Sequence, residues 1–321
     1  MKLSELRKLT GDFPRPETPE EYRDFYDRMQ TLGIDPGNFY QELEMSDRFV
    51  ETHRDVSWSN ASVQLHSHTF YEVLYCRNTC DVEYLVGADR YRLQRGDIVL
   101  VPPGISHRPL LPENMAEPYK RYVLWISPEF VQMASSQFPA DKLEIRKDTN
   151  LIRTAGTPWE FLGEGFRAGV QETEKALPGW EAAVLGNTLI LLTQIRRALL
   201  DSGVKPLVAE QPELLDRVMA YVEENLQQKI TLSDTARHFY VSESTISQLF
   251  RKKMGVSFYR CVTQRRLIAA KTLIGENVPM EAVSERTGFA DYSSFYRAFK
   301  QEYGISPRQY RKLQEPAEPE A

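Results

Sequence analysis

The spacing of hydrophobic positions changes along the chain, and each change indicates a different kind of structure. Between about residues 47 and 126, short runs rich in Val, Tyr, Leu and Ile alternate with Gly, Pro, Asn and Asp. Such runs without intervening helices are typical of a β-sandwich or barrel. From about residue 159 the apolar positions recur at helical spacing. The pattern predicts an α+β protein of two domains, with a β-barrel first and an all-α domain last.

The longest helical pattern covers residues 182–200. Its apolar stripe consists of Val184, Leu185, Thr188, Leu191, Leu192, Ile195 and Leu199. The stripe can pack on the barrel, or it can pair with its copy in a second subunit, and the two roles are compatible. Leu185, Leu192 and Leu199 recur every seven residues, as a symmetric helix pair requires. We therefore expect a homodimer with Leu192 at its seam.

Breaks in composition divide the chain further. In the polar N-terminal extension, Thr18-Pro-Glu-Glu21 has the form of a capping box and predicts a helix to about residue 32. The expected segments are an extension at 1–46, the barrel at 47–158, dimerisation helices at 159–203, a linker at 204–212, a helical domain at 213–313 and a disordered tail at 314–321. The linker is predicted from one glycine and two prolines.

The distribution of charge along the chain indicates which part of the protein could bind a negatively charged partner. The 321-residue chain has a net charge of −5, yet residues 211–313 carry 16 basic against 11 acidic side chains. The remainder carries 24 against 34, which indicates that only the C-terminal third meets a polyanion. No apolar run approaches the ~20 residues of a membrane span, and the N-terminus lacks a secretory core, so we expect a cytoplasmic protein. Cys76, Cys80 and Cys261 have no metal-binding spacing and are expected to be reduced thiols.

The helical domain contains an internal repeat. Residues 241–255 align with residues 290–304 at an offset of 49, and Ile246 and Phe250 match Phe295 and Phe299. Each copy reads as a capped helix, a tight turn and a second helix with one polar face, which is a helix-turn-helix. The pattern predicts two such units joined by one long helix.

The polar face of the second helix in each unit has the chemistry to read double-stranded DNA. The exposed positions are expected to be Ser244, Ser247, Gln248 and Arg251 in the first unit, and Tyr292, Ser293, Tyr296, Arg297 and Lys300 in the second. Ser, Gln and Arg can hydrogen-bond to base edges, whereas Lys252, Lys253 and Lys300 suit phosphates. The alternative is a helical domain whose polar faces are merely solvated.

Residues 288–300 (GFADYSSFYRAFK) and 304–311 (GISPRQYR) resemble the signature of the AraC/XylS family of transcription regulators. The resemblance implies a seven-helix DNA-binding domain, with recognition helices at about 242–253 and 291–302 in successive major grooves of promoter DNA. It places the base-facing positions at Ser244, Ser247, Gln248, Tyr292, Ser293 and Arg297. RNA polymerase is an implied partner if the protein is an activator. Because the first helix has few long side chains, we expect the second to supply more direct readout.

Four potential ligand residues lie in the strand-rich segment. Alternation along a strand places His66 and His68 on one face, and Glu72 keeps that parity if the strand is unbroken. His107 follows a Pro-Gly turn before a later strand. Three imidazoles and a carboxylate in one barrel mouth are a plausible set of ligands for a divalent metal.

This spacing resembles the two cupin motifs, HxHx3E and Gx5PxGx2H, and implies a jelly-roll barrel over roughly 47–130. The chain departs from the motifs at Thr79, where glycine is expected, and at Leu111, where asparagine is expected. The four residues therefore have three interpretations: a metal site, a metal-free pocket for a small polar ligand such as a sugar or its acid, or a structural hydrogen-bond cluster. The aromatic residues expected beside them are Phe70, Tyr75, Tyr84 and Trp125.

Three functions follow from these features. The leading prediction is a ligand-controlled, DNA-binding transcription regulator without enzymatic activity, in which the barrel senses a small molecule. The rival is a metal-dependent cupin enzyme, an oxygenase or isomerase, with an accessory DNA-binding domain. The third is a regulator whose histidine cluster senses the metal itself.

Overall fold

A computed structural model describes residues 45, 47–58, 65–78, 81–87, 89–112, 115–137, 151–201 and 213–314, together with Glu20, Glu21, Asp24, Asp27 and Thr31. These last five residues are helical, as the capping pattern predicts. Apart from residue 45, the rest of the predicted extension lies outside the described residues, as do the predicted linker and residues 315–321 of the predicted tail. The chain forms two compact units, one made mainly by residues before 211 and the other mainly by Gln211–Ala321.

The N-terminal unit is built on two antiparallel β-sheets. Its strands are β1 (Val50–Ser57), β2 (Tyr71–Cys76), β3 (Glu83–Val86), β4 (Asp89–Arg92), β5 (Asp97–Val101), β6 (His107–Leu110), β7 (Tyr119–Ile126) and β8 (Leu151–Arg153). The larger sheet has the order β1-β7-β2-β5-β8, and the smaller has the order β4-β3-β6. The predicted β-rich N-terminal region is confirmed, whereas the jelly-roll connection stays a prediction.

The larger sheet has two apolar faces because successive side chains of a strand point to opposite sides. On the inner face Leu74 and Trp125 pack in one cluster with Tyr84 of the smaller sheet. On the outer face Val73 and Leu124 belong to a second cluster, which includes helical residues. The interior of the N-terminal unit therefore lies between the two sheets, and helices cover the outer side of the larger sheet.

Three helices of the N-terminal unit contribute to the outer cluster: α1 (Pro128–Gln137), α2 (Leu162–Lys175) and α3 (Trp180–Leu200). Helix α1 interrupts the segment that the sequence pattern assigned wholly to the barrel. Ser127, whose Oγ accepts a hydrogen bond from the Phe130 amide at 3.1 Å, precedes Pro128 at the first helical position. A Ser-Pro pair is a helix-start signal, so this helix was detectable from the sequence.

Two glycines allow α2 to lie close to its neighbours. A Cβ atom on Gly163 would lie 2.4 Å from the hydroxyl of Tyr75 on β2. A Cβ atom on Gly165 would lie 2.6 Å from a methyl group of Leu191 on α3. Both distances are far below van der Waals contact, so a larger residue would require the facing side chain or the helix to shift. The two glycines therefore let α2 lie close to both the sheet and α3.

Helix α3 packs its apolar stripe on the barrel of its own chain. Val184, Leu191 and Ile195 are buried in the outer cluster together with Leu192, which is only 3% exposed. The expected dimer seam through Leu192 is therefore wrong, because this residue already belongs to the core of the monomer. Among the described helices α3 is the one with the length and composition of a membrane span. Its buried face packs against the larger sheet.

The C-terminal unit contains seven α-helices in its described range, 213–314, as the family resemblance implies. They are α4 (Leu214–Glu224), α5 (Leu232–His238), α6 (Glu243–Leu249), α7 (Phe258–Gly275), α8 (Met280–Arg286), α9 (Tyr292–Tyr303) and α10 (Pro307–Gln314). Phe295 and Phe299 of α9 are buried in one cluster with Leu267 and Ile274 of α7. The long helix α7 thus holds the second half of the domain in place.

Leu192→Glu should unfold the N-terminal unit, whereas Leu177→Glu should not. An unpaired carboxylate at the buried position should cost more than about 4 kcal/mol, whereas Leu177 is 58% exposed and its change should stay within about 0.5 kcal/mol. Urea unfolding followed by tryptophan fluorescence reports on this unit, because all four tryptophans precede residue 211. Equal losses of stability in the two variants would contradict the packing of α3 described above.

Candidate nucleic-acid interface and candidate metal centre

Three of the four helices in the two helix-turn-helix units begin with a side-chain cap, whereas α8 follows Pro279 without one. In the first unit Thr231 accepts a hydrogen bond from the Asp234 amide at the start of α5, and Ser242 accepts one from the Thr245 amide at the start of α6. In the second unit Asp291 accepts from the Ser294 amide at 2.7 Å at the start of α9. This backbone hydrogen bond is the main reason why the pKa of the Asp291 carboxyl lies below its ordinary value. The predicted starts of α6 and α9 are confirmed.

The turns of the two units share one hydrogen-bond pattern. In the first unit the amides of Phe239, Tyr240 and Val241 donate to the carbonyls of Thr235, Arg237 and Ala236. In the second unit the amides of Thr287, Gly288 and Phe289 donate to the carbonyls of Val283, Glu285 and Ser284. All six donor–acceptor distances lie between 3.0 and 3.2 Å. The internal repeat therefore corresponds to two copies of one helix-turn-helix.

The second helix of the first unit differs from the predicted single α-helix. After α6 the chain continues as a π-helical turn, Phe250–Met254. The wider turn keeps the buried Phe250 and Met254 on the same side as the buried Ile246, although four-residue steps drift around a regular α-helix. The same turn exposes Arg251 and Lys252 to solvent.

The faces predicted to read DNA point away from the core. Ser244, Gln248, Arg251, Ser293, Arg297 and Lys300 are exposed, whereas Ser247, Tyr292 and Tyr296 are partly exposed. The Ser244 hydroxyl lies 2.7 Å from the capping hydroxyl of Ser242, so it is held at the helix start. Contact of these side chains with bases stays a prediction, but their accessibility agrees with it.

Gly288 fixes the turn of the second unit. Its φ is +76°, and an added Cβ atom would lie 2.0 Å from the carbonyl oxygen of Leu226, which follows α4. Left-handed backbone favours glycine, and the close carbonyl leaves no room for a side chain. The turn of the second helix-turn-helix therefore packs directly on the chain that leaves the first helix of the domain.

The predicted metal-ligand residues come close together although the strand between them is broken. Strand β2 begins at Tyr71, so no continuous strand joins His66 to Glu72. Potential ligand atoms of His66, Glu72 and His107 nevertheless lie within 4.8 Å of one another, and all three residues are buried. His68 joins them, with its Nε2 3.8 Å from Glu72 Oε2.

The cluster is oriented by hydrogen bonds from outside it. Nδ1 of His107 lies 2.9 Å from the Ile105 carbonyl oxygen, and Nδ1 of His68 lies 2.7 Å from the Phe70 carbonyl oxygen. Because a carbonyl can only accept, each Nδ1 carries the hydrogen, and each Nε2 faces Glu72. The His107 Nε2 lies 3.0 Å from Glu72 Oε2. The other carboxylate oxygen accepts a hydrogen bond from Trp125 Nε1 at 2.8 Å.

The contacts of the cluster lower the pKa values of both Glu72 and His68. Burial alone would raise the pKa of Glu72, but the facing imidazoles of His107 and His68 hold it well below its ordinary value. Burial is the main cause that lowers the pKa of His68. Metal-binding histidines commonly donate their second ring nitrogen to a carbonyl in this way. The residues present therefore fit a divalent cation, and they also fit the hydroxyl groups of a small polar ligand.

Three of the four expected aromatic neighbours surround the cluster. The Phe70 ring stacks on His68 with a centroid distance of 4.0 Å, and Tyr84 lies 6.4 Å from His107. Trp125 is the third, through its bond to Glu72. Tyr75 is on the outer face, where it stacks on Phe166, so its predicted position is wrong. The reason is strand parity, since Glu72 and Tyr75 lie three residues apart on β2.

One buried histidine near the cluster was missed from the sequence. His53 on β1 is buried, and its ring meets the Trp125 ring edge-on at 4.9 Å. Its neighbours on the same strand face, Glu51 and Asp55, are also polar, and alternating polar residues normally mark a solvent-facing side. The sequence therefore carried no signal for this buried histidine.

The thiols agree with their expected role where they are described. Cys76 and Cys261 are both buried, whereas Cys80 lies outside the described residues.

Residues 235–313 match the protein family described as "Helix-turn-helix domain". The chain is 34% identical over 128 residues to the probable transcriptional regulator LumQ of Photobacterium leiognathi, an alignment that covers 40% of this chain and 50% of LumQ. It is 25% identical over 283 residues to the uncharacterized HTH-type transcriptional regulator YfiF of Bacillus subtilis, covering 86% and 87%. It is 23% identical over 248 residues to the HTH-type transcriptional activator RhaS of Salmonella typhimurium, covering 77% and 87%.

The C-terminal unit is thus a double helix-turn-helix of the kind found in DNA-binding regulators. More particularly, residues 235–313 form a helix-turn-helix domain of the AraC type. The chain spans half the length of LumQ and most of the length of YfiF and RhaS.

Proposed function

We propose that this protein is a transcription regulator that binds double-stranded promoter DNA in the cytoplasm and responds to a small ligand in its N-terminal barrel. The observation that carries the proposal is the repeated turn, which presents two accessible polar helices from one rigid domain. The basic balance of residues 211–313 and the names of the relatives support it. Regulation is favoured over catalysis because the similarity to YfiF, which is named a regulator, covers both units.

In this proposal the two recognition helices contribute unequally to the recognition of bases. The second helix carries Arg297, whose guanidinium can bind guanine with two hydrogen bonds in the major groove. The first carries short hydroxyls, and one of them, Ser244, is held by the helix cap. We therefore assign most base recognition to α9 and mainly backbone contacts to α6 and the turn that follows it.

Arg297→Ala and Lys252→Ala should weaken DNA binding in different ways. Loss of a guanine contact should cost about 1–3 kcal/mol and relax preference at one base pair. Loss of a phosphate contact should weaken binding to all sequences and lower the salt slope by about one. Selection from a randomised duplex library, followed by titrations at several salt concentrations, measures both. If Arg297→Ala weakens all sequences equally, Arg297 contacts phosphate instead.

We propose that the regulator is a homodimer and that its seam is the exposed face of α3. Gly186, Ile190, Arg197 and Leu200 are exposed there and follow heptad spacing. In an antiparallel pair of these helices the exposed Glu181 of one copy approaches Arg197 of the other. The open space around Gly186 lets the two backbones come close.

Ile190→Glu should give a folded monomer. Two like charges would meet at the centre of the helix pair, where apolar contact is expected. Light scattering after size exclusion measures the mass, and Leu177→Glu, which changes another exposed apolar residue outside α3, is the matched control. A dimeric Ile190→Glu protein would place the interface elsewhere.

For the ligand we propose the cluster of His66, His68, Glu72 and His107 as the binding site. One candidate is a small polar molecule such as a sugar or its acid, which would use the carboxylate and imidazoles for its hydroxyl groups. The second candidate is a divalent metal, favoured by the orientation of both Nδ1 atoms toward carbonyls. A bound metal would supply a positive charge that fixes the loop of His68 and the turn before His107.

Zn²⁺ or Ni²⁺ should stabilise the N-terminal unit if the cluster is a metal site. At a metal concentration of 100 times Kd the gain is about 2.7 kcal/mol, seen as a higher melting temperature by tryptophan fluorescence. Glu72→Gln should remove the gain, whereas His238→Ala, at an exposed histidine of the other unit, should keep it. Stabilisation by sugars and not by metals would support the metal-free pocket, and turnover of a ligand would favour the enzyme.

A further inference from the structure

We propose that Tyr240, in the turn of the first helix-turn-helix, binds the DNA backbone through its phenol hydroxyl, which donates a hydrogen bond to a phosphate. This inference rests on the proposed function, because it needs the domain to bind DNA. It adds a contact outside the two recognition helices and gives the first unit an anchor of its own.

The backbone of Tyr240 is in a conformation that disfavours its side chain. Its φ is +56°, a left-handed value, and the equivalent residue of the second unit is Gly288 with φ +76°. The hydrogen bonds of the two turns correspond one to one, so both turns require this conformation. Glycine is the residue that meets the requirement at least cost. The first unit accepts a strained tyrosine where the second has glycine.

The fold gains nothing visible from the Tyr240 side chain. The residue is 96% exposed, the highest exposure among the large hydrophobic residues of the described chain. Its neighbour Phe239 packs edge-on against the rings of Tyr221 and His238, whereas within the described residues the ring of Tyr240 stacks on no other aromatic ring. A strained and solvated aromatic residue indicates a role outside the folded domain.

The position and chemistry of Tyr240 point to DNA phosphate. The residue lies two positions before Ser242, the cap of α6, and Arg251 and Lys252 lie at the other end of the same recognition segment. Twelve residues, 243–254, span roughly 18 Å at the helical rise, and the major groove is about 12 Å wide. A helix in the groove can therefore touch the backbone at both ends. Tyrosine hydroxyls are among the groups that bind DNA phosphates.

An exposed tyrosine also suits a protein surface, such as a subunit of RNA polymerase. Two observations favour DNA. Tyr240 lies two residues before the cap of the recognition helix, and that helix offers mainly short polar side chains, Ser244 and Ser247, so it needs contacts with the backbone for affinity.

The test compares full-length Tyr240→Gly, Tyr240→Phe and Asn277→Gly. Asn277 is the matched control, because it is also exposed and left-handed, with φ +59°, but it lies between α7 and α8. The probes are two fluorescein-labelled 30-base-pair duplexes of unrelated sequence, titrated at low salt and followed by anisotropy. Thermal melting of each variant reports on the fold.

Tyr240→Gly should melt at or above the wild-type temperature because the strain is relieved, whereas Asn277→Gly should melt near it because asparagine tolerates a left-handed backbone. Only the Tyr240 variants should bind DNA more weakly, by roughly three- to tenfold and equally on both duplexes, as expected for the net loss of one ordinary hydrogen bond at a solvated surface. Tyr240→Phe should lose as much as Tyr240→Gly. The salt slope should stay unchanged, unlike that of Lys252→Ala, because a neutral hydroxyl releases no counterion.

Wild-type binding by Tyr240→Gly would overturn the inference, and the proposed function would stand if Arg297→Ala still weakens binding. Wild-type binding by Tyr240→Phe would overturn the hydroxyl–phosphate contact. Unchanged DNA binding with weaker capture of purified RNA polymerase on that DNA would assign Tyr240 to the polymerase instead. A wild-type protein that binds neither duplex at low salt would overturn the proposed function together with the inference.

Discussion

The larger sheet of the N-terminal unit must bury both of its faces, and this constraint determines what the other elements of that unit do. Its inner face packs with residues of the smaller sheet, and its outer face packs with α1, α2 and α3. Each strand contributes to both faces, since its side chains alternate. The apolar stripe of α3 is buried by this packing, so the surface available to a second subunit is the opposite side of the helix. Removal of apolar area from water is the largest favourable term in such packing.

The same constraint places the polar cluster in an apolar interior. A buried carboxylate is costly unless hydrogen bonds and positive or polar partners surround it. Glu72 has Trp125 on one oxygen and His107 on the other, and its imidazole partners are themselves tied to backbone carbonyls. Because every partner has its own anchor, the cluster is arranged before any ligand arrives. Such preorganisation is what a selective binding site needs.

The C-terminal unit differs in that it presents two similar helices from one small domain. Local capping and a left-handed turn define each unit, while α7 packs with both helices of the second unit. The two turns differ in how crowded they are. Gly288 lies against the carbonyl of Leu226, whereas the equivalent Tyr240 is open to solvent. The two turns share one backbone geometry. The turn of the second unit packs against the chain after α4, whereas the turn of the first unit has room for the Tyr240 side chain.

The sequence by itself determined the features that depend on neighbouring residues. Thr231, Ser242 and Asp291 cap their helices because a short polar side chain reaches an amide three residues on. Short strands, the internal repeat and the polar faces of α6 and α9 follow from local periodicity in the same way. Tertiary structure decided what depends on distant contacts. Leu192 faces the sheet rather than a second subunit, and Tyr75 lies on the outer face of that sheet. Phe250–Met254 forms a π-helical turn. In each case a sequence repeat of seven, two or four residues left more than one face possible, and core packing selected one of them. His66 and Glu72 meet for the same reason, since a broken strand brings together side chains that continuous alternation could only assign to one face.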